Sequence, residues 1–195
     1  MNEALIESIK QQALSDNVPI MEDEGLAFIC QFLKEHNVKR LLEIGTAVGY
    51  SAICFASSKS DLTITTLEID EQRYNQAVRN IAMANLTDRI KAFNIDARDF
   101  ETAEMFDMIL IDGPKTQNEK LLNKFEKNLK PEGYFIIDDV YLHGFVDHPE
   151  VIRTRRFRTL VRKLTQFRDN ILNNDKYDAR YYETGDGIIT ATRRK

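Results

Sequence analysis

From Glu3 to Leu14 the apolar residues Leu5, Ile6, Ile9, Ala13 and Leu14 recur at helical spacing, and the run ends in Ser15-Asp16-Asn17-Val18-Pro19. This predicts an amphipathic helix that stops in a loop. A second helix is predicted over Glu22 to Asn37, completing an N-terminal helical cap over residues 1–37. Lys39 to Gly45 reads as a short buried strand entering a glycine turn, with helix resuming from Ser51 to Ser58. The alternation repeats. Leu62 to Glu68 is strand-like, Glu71 to Asn85 helical, Ile90 to Ile95 a strand and Met108 to Ile111 a buried strand. A helix over Glu119 to Leu129 is stopped by Lys130-Pro131-Glu132-Gly133, and Tyr134 to Ile137 is the next strand. Alternation of this kind predicts an α/β fold, doubly wound around a mostly parallel sheet with helices on both faces.

After Val140 the pattern changes. Residues 151–172 carry Phe157, Leu160, Val161, Leu164, Phe167 and Ile171 at helical spacing, with seven cations between Arg153 and Arg168. The expectation is one basic amphipathic helix. Ala179 to Glu183 and Ile188 to Thr192, around Thr184-Gly185-Asp186-Gly187, read as a hairpin that adds two antiparallel strands, for seven in all. With 195 residues and 43% hydrophobic content, residues 1–195 are expected to form a single domain. Two cysteines make no disulfide framework, no apolar run reaches membrane length and no signal peptide is read at the start, so a soluble, cytoplasmic chain is expected, with no membrane partner. The net charge of −4 hides an asymmetry: residues 151–195 hold 12 Lys+Arg against 5 Asp+Glu, and residues 1–150 hold 15 against 26.

The segment Leu42-Glu43-Ile44-Gly45-Thr46-Ala47-Val48-Gly49-Tyr50-Ser51 lies where the first strand turns into its helix, a place where such sheets bind ligands. Glycines let a ligand approach the backbone, and a helix N-terminus attracts a carboxylate or phosphate. The glycines are four apart, unlike the dinucleotide fingerprint, which argues against a nicotinamide oxidoreductase. Glu68 ends the second strand, where an acid accepts ribose hydroxyls, and Asp96-Ala97 ends the third. Together Glu43, Gly45, Gly49, Glu68 and Asp96 describe a site for a nucleoside bearing a charged amino-acid tail. Asp112, Asp138 and Asp139 fall at the ends of the next two strands. One such aspartate is ordinarily a helix cap, but three on one rim repel one another unless a cation lies between them, and hard oxygens suit Mg²⁺ better than zinc. His36, His143 and His148 form no ligand cluster.

The runs EIGTAVGYS, LEID, IDGPK and IDD resemble the class I S-adenosylmethionine-dependent O-methyltransferases of the catechol and caffeoyl-CoA type. The resemblance covers nearly the whole chain and implies a Rossmann-like fold. By it, Gly45, Thr46, Gly49 and Ser51 would hold the methionine part of S-adenosyl-L-methionine, with Glu43 and Asp112 in the same site. Glu68 would hold the ribose, Asp96 and Ala97 would lie beside the adenine, and Met21 would close over the cofactor. The family triad Asp-Asp-Asn binds a divalent metal. Asp112 and Asp138 match it, and Asp139 departs. Lys115 matches a lysine beside the attacking hydroxyl, where it would assist deprotonation if its pKa is lowered by the metal, and Gly113-Pro114 departs from the usual approach to it. A homodimer is implied as well.

The segment after Asp139, with its Arg-rich helix, Tyr177-Asp178 and the Gly185-Asp186-Gly187 turn, resembles the bacterial tRNA 5-hydroxyuridine methyltransferase branch. That resemblance implies methylation of wobble 5-hydroxyuridine to 5-methoxyuridine, with the tRNA anticodon loop as partner. Arg153, Arg155, Arg156, Arg158, Arg162 and Lys163 are then the candidate RNA grip. Two alternatives stay open: a catechol-type enzyme acting on a small molecule, with the basic helix as solvated surface, and a noncatalytic nucleotide- or RNA-binding module with structural aspartates.

Overall fold

A computed structural model describes residues 3–194; Met1, Asn2 and Lys195, the outer bounds of the expected domain, lie outside the described residues. The elements run α1 (Glu3–Ser15), α2 (Asp23–Glu35), β1 (Arg40–Ile44), α3 (Tyr50–Ser58), β2 (Thr63–Glu68), α4 (Glu71–Met83) and β3 (Ile90–Asn94). They continue with β4 (Phe106–Ile111), α5 (Asn118–Phe125), β5 (Leu129–Ile137), α6 (Arg155–Leu172), β6 (Tyr177–Tyr182) and β7 (Ile188–Arg193). The seven strands form one sheet in the order β3-β2-β1-β4-β5-β7-β6. The first five are parallel, and β7 pairs antiparallel with both β5 and β6. This is the Rossmann-like α/β fold expected, with its antiparallel C-terminal hairpin.

Strand alternation builds two apolar layers. Leu41, Met108 and Leu110 face Ile29, Leu33, Ile53 and Phe55 from α2 and α3. Their neighbours Leu42, Ile109 and Ile111 face Leu121 and Phe125 of α5 and Leu164 and Phe167 of α6. Among the described residues no helix is long and apolar enough to cross a membrane.

Two boundaries differ from the sequence reading. The helix expected to Leu129 ends at Phe125, a 3₁₀ turn covers Glu126–Asn128, and β5 already begins at Leu129. Leu129 pairs with Phe106 and Tyr134 with Met108, so the Lys-Pro-Glu-Gly stretch is an irregularity inside a strand. The basic helix begins at Arg155 rather than residue 151, because the Thr154 hydroxyl caps it by accepting the Phe157 N–H at 3.3 Å. Arg153 therefore precedes the helix. The loop after β5 is tied to the β6–β7 turn: Val140 N–H donates to the Gly187 carbonyl at 3.0 Å and Tyr141 N–H to that of Asp186 at 2.8 Å.

Candidate active site

The sheet order reverses between β1 and β4, and there the carboxyl ends of the parallel strands open into a cavity of about 440 Å³. Met21, Gly45, Glu68, Asp96, Ala97, Asp112, Lys115, Asp138 and Asp139 all line it. Gly45 has φ +110°, and a Cβ there would lie 2.0 Å from the Asp112 carbonyl oxygen. No other residue lets the loop after β1 pass so close to the loop after β4. The Glu68 carboxylate accepts the Ala47 N–H at 2.8 Å and the Asp70 N–H at 2.9 Å, which fixes it at the cavity edge. Asp96 accepts from Arg98 through Nε at 3.0 Å, Nη2 at 2.5 Å and the backbone N–H at 2.8 Å, and this pairing holds its pKa below the usual carboxylate range.

Four residues expected to hold the cofactor do not line the cavity: Glu43, Thr46, Gly49 and Ser51. Glu43 is fully buried behind the wall and accepts hydroxyl protons from Ser51 at 2.6 Å and Thr66 at 2.5 Å. Burial raises its pKa to about 7, although the two hydroxyls pull the other way. The Thr46 and Thr66 hydroxyls bond to each other at 2.6 Å. Gly49 holds a left-handed conformation at the start of α3, where a Cβ would press to 3.3 Å from that of Ala77 in α4. These side chains brace the loop from behind.

At the far end of the cavity, Lys115 forms ion pairs with Asp139 and, at 3.6 Å, with Asp112. Burial pulls the Lys115 pKa down, but the two carboxylates outweigh it and the net shift is upward. Burial raises Asp112 and Asp138, and Asp139 raises both further. Among the described residues no three His, Cys, Asp or Glu side chains are gathered as a ready ligand set, and the Lys115 ammonium pairs with two of the rim acids.

The 3₁₀ turn Lys115–Gln117 also packs against α6. Arg155, Arg156, Arg158, Arg162 and Lys163 are exposed on that helix, and none is paired with an acid among the described residues; Arg153 is exposed just before it.

The family described as O-methyltransferase matches the chain over residues 1–195. The chain belongs to that family. It is a methyltransferase of the S-adenosylmethionine-dependent kind. A Staphylococcus aureus protein assigned as a caffeoyl-CoA O-methyltransferase is 31% identical, with a TM-score of 0.92 over 97% of this chain and 92% of that one. A Bacillus cereus O-methyltransferase solved with S-adenosylhomocysteine is 26% identical, with a TM-score of 0.80 over 98% and 91%. The Aspergillus flavus O-methyltransferase imqG is 29% identical over 169 residues, 82% of this chain, and the match spans 66% of its length.

The cavity suits this cofactor. Its volume falls in the range of small-molecule sites, Ile95, Ala97 and Leu121 offer an apolar wall, and Glu68 offers a fixed acceptor. For a divalent cation the donor chemistry also fits. Three carboxylates share the rim with one ammonium, an excess of negative charge carried on hard oxygens, and Lys115 would have to turn aside for all three to ligate. Sequence reasoning missed Ile20, Arg73, Arg98, Gln117 and Leu121 in the wall.

Proposed function

We propose that the chain methylates the 5-hydroxyl of 5-hydroxyuridine at the wobble position of tRNA. The observation that carries this is the exposed cations of the first half of α6, which pair with no acid among the described residues, on a helix packed against the turn that holds Lys115. Phosphates of an anticodon loop would be gripped beside the cavity, where the unstacked base enters. When bound, S-adenosylmethionine supplies an electrophilic methyl group. Glu68 orients the nucleoside end, already held in place by Ala47 and Asp70. Buried Met21 covers the cavity and helps exclude water. Lys115 brings positive charge to the acceptor oxygen, and the carboxylates around it take up the hydroxyl proton. Asp112, Asp138 and Asp139 would hold a divalent cation, whose Lewis acidity makes a hydroxyl beside a carbonyl more acidic.

Incubating tRNA from cells lacking this protein with S-adenosylmethionine and Mg²⁺ tests the reading. A one-methyl mass gain on 5-hydroxyuridine is expected, reduced at least about tenfold in kcat/KM when Arg155, Arg156, Arg158 and Arg162 are changed to Glu. A second reading, methylation of a catechol-type small molecule, is favoured by the likeness to the Staphylococcus aureus protein. Activity on a catechol with none on tRNA decides for it.

A further inference from the structure

Asp186 lies in the turn between β6 and β7, and its side chain is only 4% exposed. A carboxylate so placed needs donors in place of water. Its Oδ1 accepts the His143 N–H in a short hydrogen bond, and the His143 ring Nδ1 stands 3.5 Å away. The carboxylate thus grips the main chain of the loop after β5.

That loop is strained. Asp139, Leu142 and His143 hold φ of +57°, +50° and +50°, a region where residues bearing a Cβ stay only when their surroundings keep them there. Much of that hold comes from one turn. The Gly187 and Asp186 carbonyls accept the Val140 and Tyr141 N–H groups, and the Asp186 carboxylate adds His143. Gly187 sits so close that a Cβ there would lie 2.8 Å from that of Tyr141.

The loop joins the charged end of the cavity to the basic helix. It begins at Asp139, whose carboxylate pairs with Lys115 in the cavity wall. It ends against α6, where Phe145 meets Phe157 edge-on with ring centres 5.0 Å apart and Asp147 pairs with Arg168 at 3.1 Å.

We propose that Asp186 is a positioning residue for methyl transfer. By holding His143 it keeps the strained loop, and with it the Asp139 carboxylate, set against Lys115 beside the acceptor. Asp186 does not itself line the cavity, and Gly45, Glu68 and Ala97 stand at the ends of other strands. Its carboxylate therefore governs the acceptor end and leaves the cofactor end alone. This rests on the reading of the charged end as the acceptor site, whether the acceptor is RNA or a small molecule.

Asp186→Ala and Asp186→Asn test the assignment, since both keep the backbone bonds of the turn and only Asn keeps a side-chain oxygen for His143. Thermal melts establish folding, and calorimetry with S-adenosylhomocysteine reports on the cofactor end. Methyl transfer is measured on tRNA from cells lacking this protein, or on catechol if the wild type methylates only that. Asp186→Ala should lose at least about tenfold in kcat/KM, the scale of one hydrogen bond to a charged group, and Asp186→Asn should stay within about threefold of the wild type. Both should bind S-adenosylhomocysteine within about twofold of the wild type. Full activity in folded Asp186→Ala, a parallel fall in its cofactor affinity, or an Asn variant as weak as the Ala variant overturns the assignment. So does an Ala variant that cannot fold, because Asp186 would then serve the fold as a whole. If the wild type binds S-adenosylhomocysteine but methylates neither tRNA nor catechol, the acceptor reading fails and the assignment with it, an outcome distinct from an active wild type matched by Asp186→Ala.

Discussion

Replacing Glu43 by Gln should make folding less sensitive to pH between about 4.5 and 7. Glu43 is fully buried on β1, and burial moves its pKa from about 4.5 to about 7. Below about pH 4.5 the carboxyl is protonated in both folded and unfolded chains and carries no ionisation cost. Between pH 4.5 and 7 the unfolded chain ionises while the folded one does not, and stability falls by about 1.4 kcal/mol for each pH unit. Above pH 7 the full cost stands, about 3 kcal/mol. The substituted amide cannot ionise, yet it keeps an oxygen and a nitrogen to meet the hydroxyls of Ser51 and Thr66. Urea unfolding of both proteins from pH 5 to 8.5 isolates this one group, because every other titration is shared. The stability of Glu43→Gln relative to wild type should rise by about 2 to 3 kcal/mol across that range. A difference that stays flat refutes the reasoning: Glu43 would then be ionised in the fold at neutral pH, its desolvation offset by the two hydroxyls.

Three other perturbations follow from the same geometry. Gly45→Ala forces a Cβ into the Asp112 carbonyl at a positive φ and should cost about 3 kcal/mol or more of unfolding free energy; a loss below about 1 kcal/mol contradicts the close approach. Asn118 is 2% exposed and neither polar atom of its side chain has a partner among the described residues, so Asn118→Leu should raise stability by about 1 kcal/mol, seen as a higher Tm. A lower Tm would mean that the amide is satisfied after all. Chelation of divalent cations should abolish methyl transfer and added Mg²⁺ restore it, with Asp138→Ala inactive at any Mg²⁺ concentration; turnover unchanged in chelator removes the cation from the mechanism.

Buried runs such as Leu41-Leu42 and Met108 to Ile111, punctuated by glycine and helix-forming stretches, made the parallel strands readable, because the local pattern and the packing agree there. Leu129 did not read as strand, since its pairing with Phe106 is a contact between distant residues and the intervening Pro131 and Gly133 look like a stop. The site was legible at strand ends, where Glu68, Asp112 and Asp138 have little choice but to face the cavity. Within the glycine motif, a side chain can serve a ligand or brace its own loop with the same residue types. Only the packing reveals that Glu43, Thr46 and Ser51 belong to a buried polar network behind the wall.

The placement of β7 has a consequence for the order of assembly. It follows β6 in the chain yet sits between β5 and β6 in the sheet. Until β7 arrives, β5 has an open edge, β6 has no neighbour to pair with, and the Asp139 loop lacks the Gly187 and Asp186 carbonyls that hold it. The five parallel strands and most of the cofactor wall can form first from their own residues. The acceptor end of the cavity and the α6 scaffold wait for a pairing made late, so a chain stalled before Ile188 would own a cofactor cavity with an unfinished acceptor rim.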